Sequence, residues 1–148
     1  MLPKYHIFIG AIISLIFYYA FDIPIFYSMV FFFSSFLIDI DHYLFYAYKT
    51  KNLSLKKSYE WYKKRKEKWK ALTLKQKNSS KIMHFFFHGF EFLFIFLVLS
   101  FFSQIFFYAL LGFLIHLTLD YIEIIYENDP LFIKFSQIYI FFSNTKKK

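Results

Sequence analysis

The sequence predicts an all-α integral membrane protein, a four-helix bundle with a basic cytoplasmic insert and a short C-terminal interfacial helix. Of its 148 residues, 58% are hydrophobic, whereas a soluble globular domain is about 45–50% apolar with glycine included. The apolar residues form long runs, and most basic residues gather between two of those runs. A membrane requires this separation, because a Lys or Arg at the centre of a spanning helix costs about 2.5–3.5 kcal/mol.

Four apolar stretches are candidates for spanning helices, since about 20 residues are needed to cross a hydrocarbon core. A later apolar segment, 131–142, follows Pro130 and is too short to span, so it predicts an interfacial helix. We interpret the whole chain, 1–148, as a single membrane domain. The spanning helices are expected as two hairpins, 6–21 with 25–46 and 82–102 with 105–126.

The charges indicate the orientation of the chain in the cell membrane. Residues 49–81 contain thirteen of the 18 basic residues and only two acidic ones, which gives this insert a net charge of +11. The rest of the chain sums to −3. The positive-inside rule places the insert in the cytoplasm. With two helices on each side of it, the N-terminus is expected to be cytoplasmic too.

The insert also has a helical pattern, in which Leu55, Tyr59, Tyr62 and Trp69 share one stripe among lysines. An aromatic stripe on a basic helix is typical of attachment to an anionic leaflet, where each Lys or Arg contributes about 1 kcal/mol. The alternative is a solvated, charged connector. No nucleic-acid-binding motif accompanies the charge, so nucleic acid is not an expected partner.

Chemistry-bearing residues lie at the cytoplasmic ends of all four predicted helices. The chain has no cysteine, which excludes thiolate metal sites, disulfides and cysteine nucleophiles. Ionisable residues in spanning segments face the protein interior and mark function by default. Because alternate helices start and end on one side of the membrane, we expect these groups to meet. They are His6, then Asp39, Asp41 and His42, then His84, His88 and Glu91, and finally His116, Asp120 and Glu123.

Helical spacing aligns two of these groups. The triplets that begin at His84 and His116 both have the spacing i, i+4, i+7, so each is expected to share one face of its helix. Asp39 and Asp41 lie about 200° apart on a regular helix. Either the helix breaks there or Asp41 has another role, such as capping.

The residue types indicate a metal centre. Imidazoles and carboxylates bind Zn²⁺, Mn²⁺ or Fe²⁺, and the candidates outnumber the three or four ligands of one zinc ion, so two divalent ions are plausible, with zinc or manganese favoured. Asp41 and Glu91 are the candidate catalytic residues, with Glu91 as a ligand or the general base. The candidate metal ligands are His6, Asp39, Asp41, His42, His84, His88, His116 and Asp120.

Four short motifs occur in order along the chain: His6 before Gly10, Asp39-Ile-Asp-His42, His84-Phe-Phe-Phe-His88, and His116-Leu-Thr-Leu-Asp120. In this order they resemble the LexA-regulated type of membrane-bound, metal-dependent hydrolases. Ile38 stands where that family usually has proline, and no Thr-Pro stretch follows Asp120. The resemblance implies a small helical membrane hydrolase whose metal ligands lie within the four motifs.

We therefore expect a metal-dependent hydrolase that acts at the cytoplasmic face on a lipid-linked phosphoester, with anionic membrane lipids as partners of the basic insert. Helical His and carboxylate ligands are analogous to those of zinc-dependent phospholipase C and nuclease folds, which favours phosphoesters. The alternative is a non-catalytic membrane protein that binds or transports a divalent metal or haem. A purely structural membrane protein is the third interpretation.

Overall fold

The computed structural model describes residues 3–146, and this part of the chain is helical, without a β-strand. The prediction of an all-α fold is confirmed. A short 3-10 turn at Leu131–Ile133 separates the last two helices. In chain order the helices are α1 (Pro3–Ala20), α2 (Ile25–Leu37), α3 (Ile40–Thr50), α4 (Leu55–Lys70), α5 (Leu74–Ser79), α6 (Phe90–Ser100), α7 (Gln104–Tyr126) and α8 (Gln137–Lys146).

Among the described residues, three helical segments are long and apolar enough to cross a membrane: α1, α2 and α3 taken together as Ile25–Thr50, and α7. This is compatible with membrane localisation, whereas the orientation stays a prediction. α6 is apolar but has only 11 residues, or about 16 Å of helix. The predicted four-helix bundle is therefore matched by three long segments and one short helix.

The start of the predicted helix 82–102 is wrong, because α6 begins only at Phe90 and the chain before it is irregular. Two amide side chains of α8 replace the missing helical hydrogen bonds. Gln137 accepts from Phe85 N–H and donates to the His88 carbonyl, while Asn144 bonds both backbone groups of Ile82. Irregular backbone is tolerated at membrane depth where protein groups satisfy it in this way.

The basic insert folds back onto the end of α7. Lys66 bonds Glu123 and Glu127 at 2.5 and 3.0 Å, and both Lys77 Nζ and Trp69 Nε1 donate to Asp129. Burial lowers the pKa of Lys66, but its hydrogen bonds to the two glutamates outweigh burial and hold that pKa above its usual value. The insert is thus docked on the protein and is not simply a solvated connector.

The aromatic stripe of the insert divides between two environments. Tyr62 and Trp69 form hydrogen bonds with the rest of the protein, whereas Leu55 and Tyr59 are exposed. The exposed pair leaves an apolar edge that a lipid surface could cover. Attachment to an anionic leaflet stays a prediction.

Among the long helices, α2 and α7 form the most extensive pair. Gly112 of α7 lies against the α2 backbone, where an added Cβ would stand 2.6 Å from the Phe31 carbonyl oxygen and 3.0 Å from Ser35 N. Small residues at such points allow helices to pack closely in a membrane, where no hydrophobic force drives them together.

Gly112→Ala is expected to reduce stability by about 1–3 kcal/mol, the usual cost of overpacking, because the new methyl group meets backbone atoms that cannot rotate away. The control is Gly10→Ala, whose Cβ would meet the Ser35 hydroxyl, a side chain that can turn. Thermal unfolding of the detergent-purified variants measures the difference. Equal stability of the two variants would contradict a close contact at Gly112.

Candidate metal centre

Four segments of the chain bring their polar side chains to one buried place. α1 supplies His6, the junction of α2 and α3 supplies three residues, the irregular segment before α6 supplies one, and α7 supplies two. His6, His88, His116 and Asp120 are 0% exposed. We call the set the His/Asp cluster; its members are His6, Asp39, Asp41, His42, His88, His116 and Asp120.

Within the cluster, three overlapping groups of side chains could each hold a metal ion, with their ligand atoms within 4.8 Å of one another. The side chains at the centre of the cluster are removed from water. Polar groups in such a place need polar partners or a metal ion. The groups are His6, Asp39 and His116; Asp39, His42 and His88; and His88, His116 and Asp120.

Two histidines are oriented by the bonds that their Nδ1 atoms make. His116 Nδ1 lies 2.9 Å from the Ser35 carbonyl oxygen, and His88 Nδ1 lies 3.1 Å from Asp41 Oδ2. A carbonyl oxygen and an ionised carboxylate only accept hydrogen bonds, so each Nδ1 carries the proton. In the neutral rings, each Nε2 therefore presents a lone pair.

These two lone pairs face one another. The Nε2 atoms of His88 and His116 are 3.3 Å apart, a distance at which two acceptors repel unless a proton or a cation lies between them. Asp39 Oδ1 is 3.3 Å from the first and 3.6 Å from the second, and Asp120 Oδ2 is 3.3 Å from His116 Nε2. Imidazole nitrogens and carboxylate oxygens that converge in this way are the ligands of divalent zinc and manganese.

The break between α2 and α3 explains how Asp39 and Asp41 both reach His88. Asp39 N–H bonds to the Phe36 carbonyl, one residue out of helical register. The two carboxylates then lie on opposite sides of the same imidazole, Asp39 near Nε2 and Asp41 at Nδ1. Of the two alternatives that the spacing left open, the helix break is confirmed. Asp41 orients His88 from behind, as carboxylates do for metal-binding histidines.

His6 and His42 complete the cluster at its edges. The ring of His6 stacks on His116 with centroids 4.0 Å apart, and its Nε2 is 3.5 Å from Asp120 Oδ1. Neither ring nitrogen of His6 makes a hydrogen bond with the described residues. A fully buried imidazole without such a hydrogen bond is a position where a metal ion could be the partner. His42 Nε2 is 3.3 Å from Asp39 Oδ1.

Two predicted site residues lie elsewhere. The ring of His84 packs edge-on against Phe86 and belongs to none of the three groups, because the chain is not helical between it and His88. Glu91 accepts hydrogen bonds from Ser136 Oγ and from the N–H groups of Gln137 and Ile138. Glu91 thus caps the start of α8 and belongs to none of the three groups; its role as ligand or general base stays a prediction.

One residue of the site was not predicted. Lys134 Nζ lies 2.5 Å from Asp120 Oδ2, with its side chain 14% exposed. A signal was present in the sequence, because Lys134 is an isolated cation within the apolar segment 131–142, and an isolated ionisable residue in such a segment is a functional candidate by default.

A cavity of about 440 Å³ opens beside the cluster, within the usual size range of small-molecule sites. Its lining includes Asp39, His42 and Lys134 together with residues of α4. Tyr62 joins α4 to α3, because its hydroxyl donates a hydrogen bond to the His42 carbonyl oxygen at 2.8 Å. Aromatic and aliphatic side chains cover much of the lining.

No protein-family model matches the chain, and no curated protein or solved structure does. The structure itself shows buried histidines and aspartates that could hold a metal ion, beside a cavity large enough for a small molecule.

Replacing a cluster histidine is expected to remove bound metal, and His84 provides a matched control on the same chain. In His116→Ala, the metal content of protein purified with Zn²⁺ or Mn²⁺ should fall to background, whereas His84→Ala should keep the wild-type content. Elemental analysis measures both, and size-exclusion elution shows that each variant is folded. Metal loss in His84→Ala with retention in His116→Ala would contradict the cluster.

Asp41→Asn tests the orienting role of the carboxylate behind His88. The amide keeps the shape of Asp41 but not its charge, so Nδ1–H loses its anionic acceptor. We expect the metal affinity to fall about 10- to 100-fold, as for other such partners of metal-binding histidines. Competition with a chelating dye measures the affinity. An unchanged affinity would mean that Asp41 does not act through His88.

Proposed function

We propose that this protein is a membrane-embedded, metal-dependent hydrolase of lipid-linked phosphoesters. The observation that carries the proposal is the convergence of the Nε2 atoms of His88 and His116 with two carboxylates, beside a cavity with basic side chains in its walls. Metal ligands beside a substrate-sized cavity are a usual arrangement in metal-dependent hydrolases.

The ligand assignment follows from the contacts. His88, His116 and Asp120, which form one of the three groups, would hold a first ion, and Asp39 with the imidazole of His6 or that of His42 could serve a second, since the cluster offers more ligands than one zinc ion takes. A divalent ion there supplies a nucleophilic water near neutral pH and stabilises charge on a phosphoryl oxygen.

The chain provides the remaining requirements of hydrolysis. Ser35 and Asp41 fix the ring orientations, so the ligand geometry is set before substrate arrives. In the hydrolysis the water oxygen would bond to phosphorus as the ester P–O bond breaks, and the proton released by the water would pass to the departing alkoxide. Residues of α4 line the cavity beside the cluster, and Tyr62 bonds the His42 carbonyl oxygen from there.

The apolar part of the lining favours a lipid. Tyr62, Met83 and Phe85 contribute to the cavity walls beside the polar cluster, so an amphiphile can place its phosphate near the ligands and its apolar part against these side chains. The basic residues of the insert provide an attractive field for an anionic substrate.

Non-catalytic metal binding is the alternative that the cluster also permits. It requires the same ligands but no turnover. Haem fits less well, because a pair of aspartates lies among the central imidazoles where an apolar slot for the porphyrin would be needed. Purified protein without a Soret band would exclude haem.

The decisive experiment is a panel of lipid phosphate monoesters, diesters and isoprenyl diphosphates, incubated with purified protein in detergent. We expect hydrolysis of at least one class, loss of activity with EDTA and recovery with Zn²⁺ or Mn²⁺. Asp120→Asn should lower kcat/KM by about 100-fold or more, an order expected when charge stabilisation at the reacting group is lost, while His84→Ala should retain activity.

Two results would contradict the proposal. Activity that survives both EDTA and Asp120→Asn would exclude the cluster as the reaction centre. Stoichiometric metal binding without turnover of any lipid class would instead support the non-catalytic alternative.

A further inference from the structure

Lys134 occupies an unusual position for a lysine. Its ammonium contacts Asp120 Oδ2, the same oxygen that lies 3.3 Å from His116 Nε2. Asp120 is fully buried, so this contact supplies a positive charge at an atom that is also a candidate metal ligand. Lys134 also lines the cavity beside the cluster.

A divalent ion and the Lys134 ammonium cannot both hold Asp120 Oδ2 favourably. Like charges a few ångströms apart repel strongly where water is scarce. The lysine has a long, flexible stem and a compact charge with three donors, so its ammonium can leave the carboxylate while its backbone stays in place. The cavity that it already lines offers the space into which it can turn.

The cavity is cationic beyond Lys134. Lys63, Arg65 and Lys81 line it and form no ion pair among the described residues, whereas Glu123, Glu127 and Asp129 in the same lining are each paired with a lysine. Cations that form no ion pair with the described residues, around a mostly apolar space, suit an amphiphile with a compact, doubly charged anionic group. A phosphate monoester has that chemistry.

We propose that Lys134 exchanges Asp120 for the phosphate of the substrate. In metal-free protein its ammonium neutralises Asp120; when a divalent ion binds Asp120, Lys134 turns into the cavity and binds a phosphate oxygen of a phosphate monoester. The inference rests on the proposed function, and it makes Lys134 a phosphate-binding residue whose site is completed by the metal. Metal and phosphate then strengthen each other's binding.

The test measures Mn²⁺ affinity by the EPR signal of free Mn²⁺, with and without inorganic phosphate, on the full chain in detergent. In wild-type protein, phosphate should tighten Mn²⁺ binding by about tenfold, a typical coupling between two sites. Lys134→Gln should lose this coupling while binding Mn²⁺ alone as well as wild type or better, because a competing cation has been removed. Lys134→Arg, which keeps the charge, should retain coupling.

Lys70→Gln is the matched control, since Lys70 is also ion-paired but does not line the cavity; its coupling should equal that of wild type. A parallel arm replaces inorganic phosphate with a short-chain phosphatidic acid. Stronger coupling with the lipid identifies a lipid phosphate as the ligand, and equal coupling identifies phosphate itself.

The failures are distinguishable. Wild-type protein that binds no Mn²⁺ overturns the metal centre and with it the role of Lys134. Protein that binds Mn²⁺ but shows no coupling with phosphate, or keeps full coupling in Lys134→Gln, overturns the role of Lys134 and leaves the metal centre standing. Weaker Mn²⁺ binding in Lys134→Gln would show that the lysine is structural.

Discussion

The hydrogen bond from His116 Nδ1 to the Ser35 carbonyl oxygen joins the fold to the candidate site. It exists because α7 approaches α2 closely at Gly112, one helical turn before His116, and because α2 ends at Leu37, which leaves its last carbonyl groups without helical partners. The bond satisfies one such carbonyl and sets the tautomer that turns Nε2 toward His88. The packing of α7 against α2 therefore determines which ring nitrogen of His116 carries the proton.

Helical spacing predicts side-chain positions correctly only where the chain stays helical. In α7 the helix runs unbroken from Gln104 to Tyr126, so the spacing of His116 and Asp120 correctly predicted two side chains on one face. The same spacing gave a wrong position for His84, because the backbone before α6 bonds to side-chain amides and does not form helical hydrogen bonds. A run of Phe residues is equally compatible with a helix and with an irregular chain, so hydrophobicity could not reveal the missing helix.

The all-α class and the long apolar segments were predictable from composition and length, whereas the docking of the basic insert was not. Its lysines suggested a surface facing solvent or lipid, but several of them find acidic partners at the end of α7 that are distant in sequence. Lys134 and Gln137 escaped prediction for a related reason, since their roles depend on tertiary contacts with Asp120 and the His88 segment.

The dependence of the His88 segment on α8 has a consequence for the order of assembly. Asp41 holds the His88 ring, but the irregular backbone from Ile82 to His88 depends on hydrogen bonds from Gln137 and Asn144, so this backbone is fully held in place after residues 137–144 have been synthesised and docked. A nascent chain that ends before residue 137 would lack these hydrogen bonds, so the His/Asp cluster would be completed late in the synthesis of the chain.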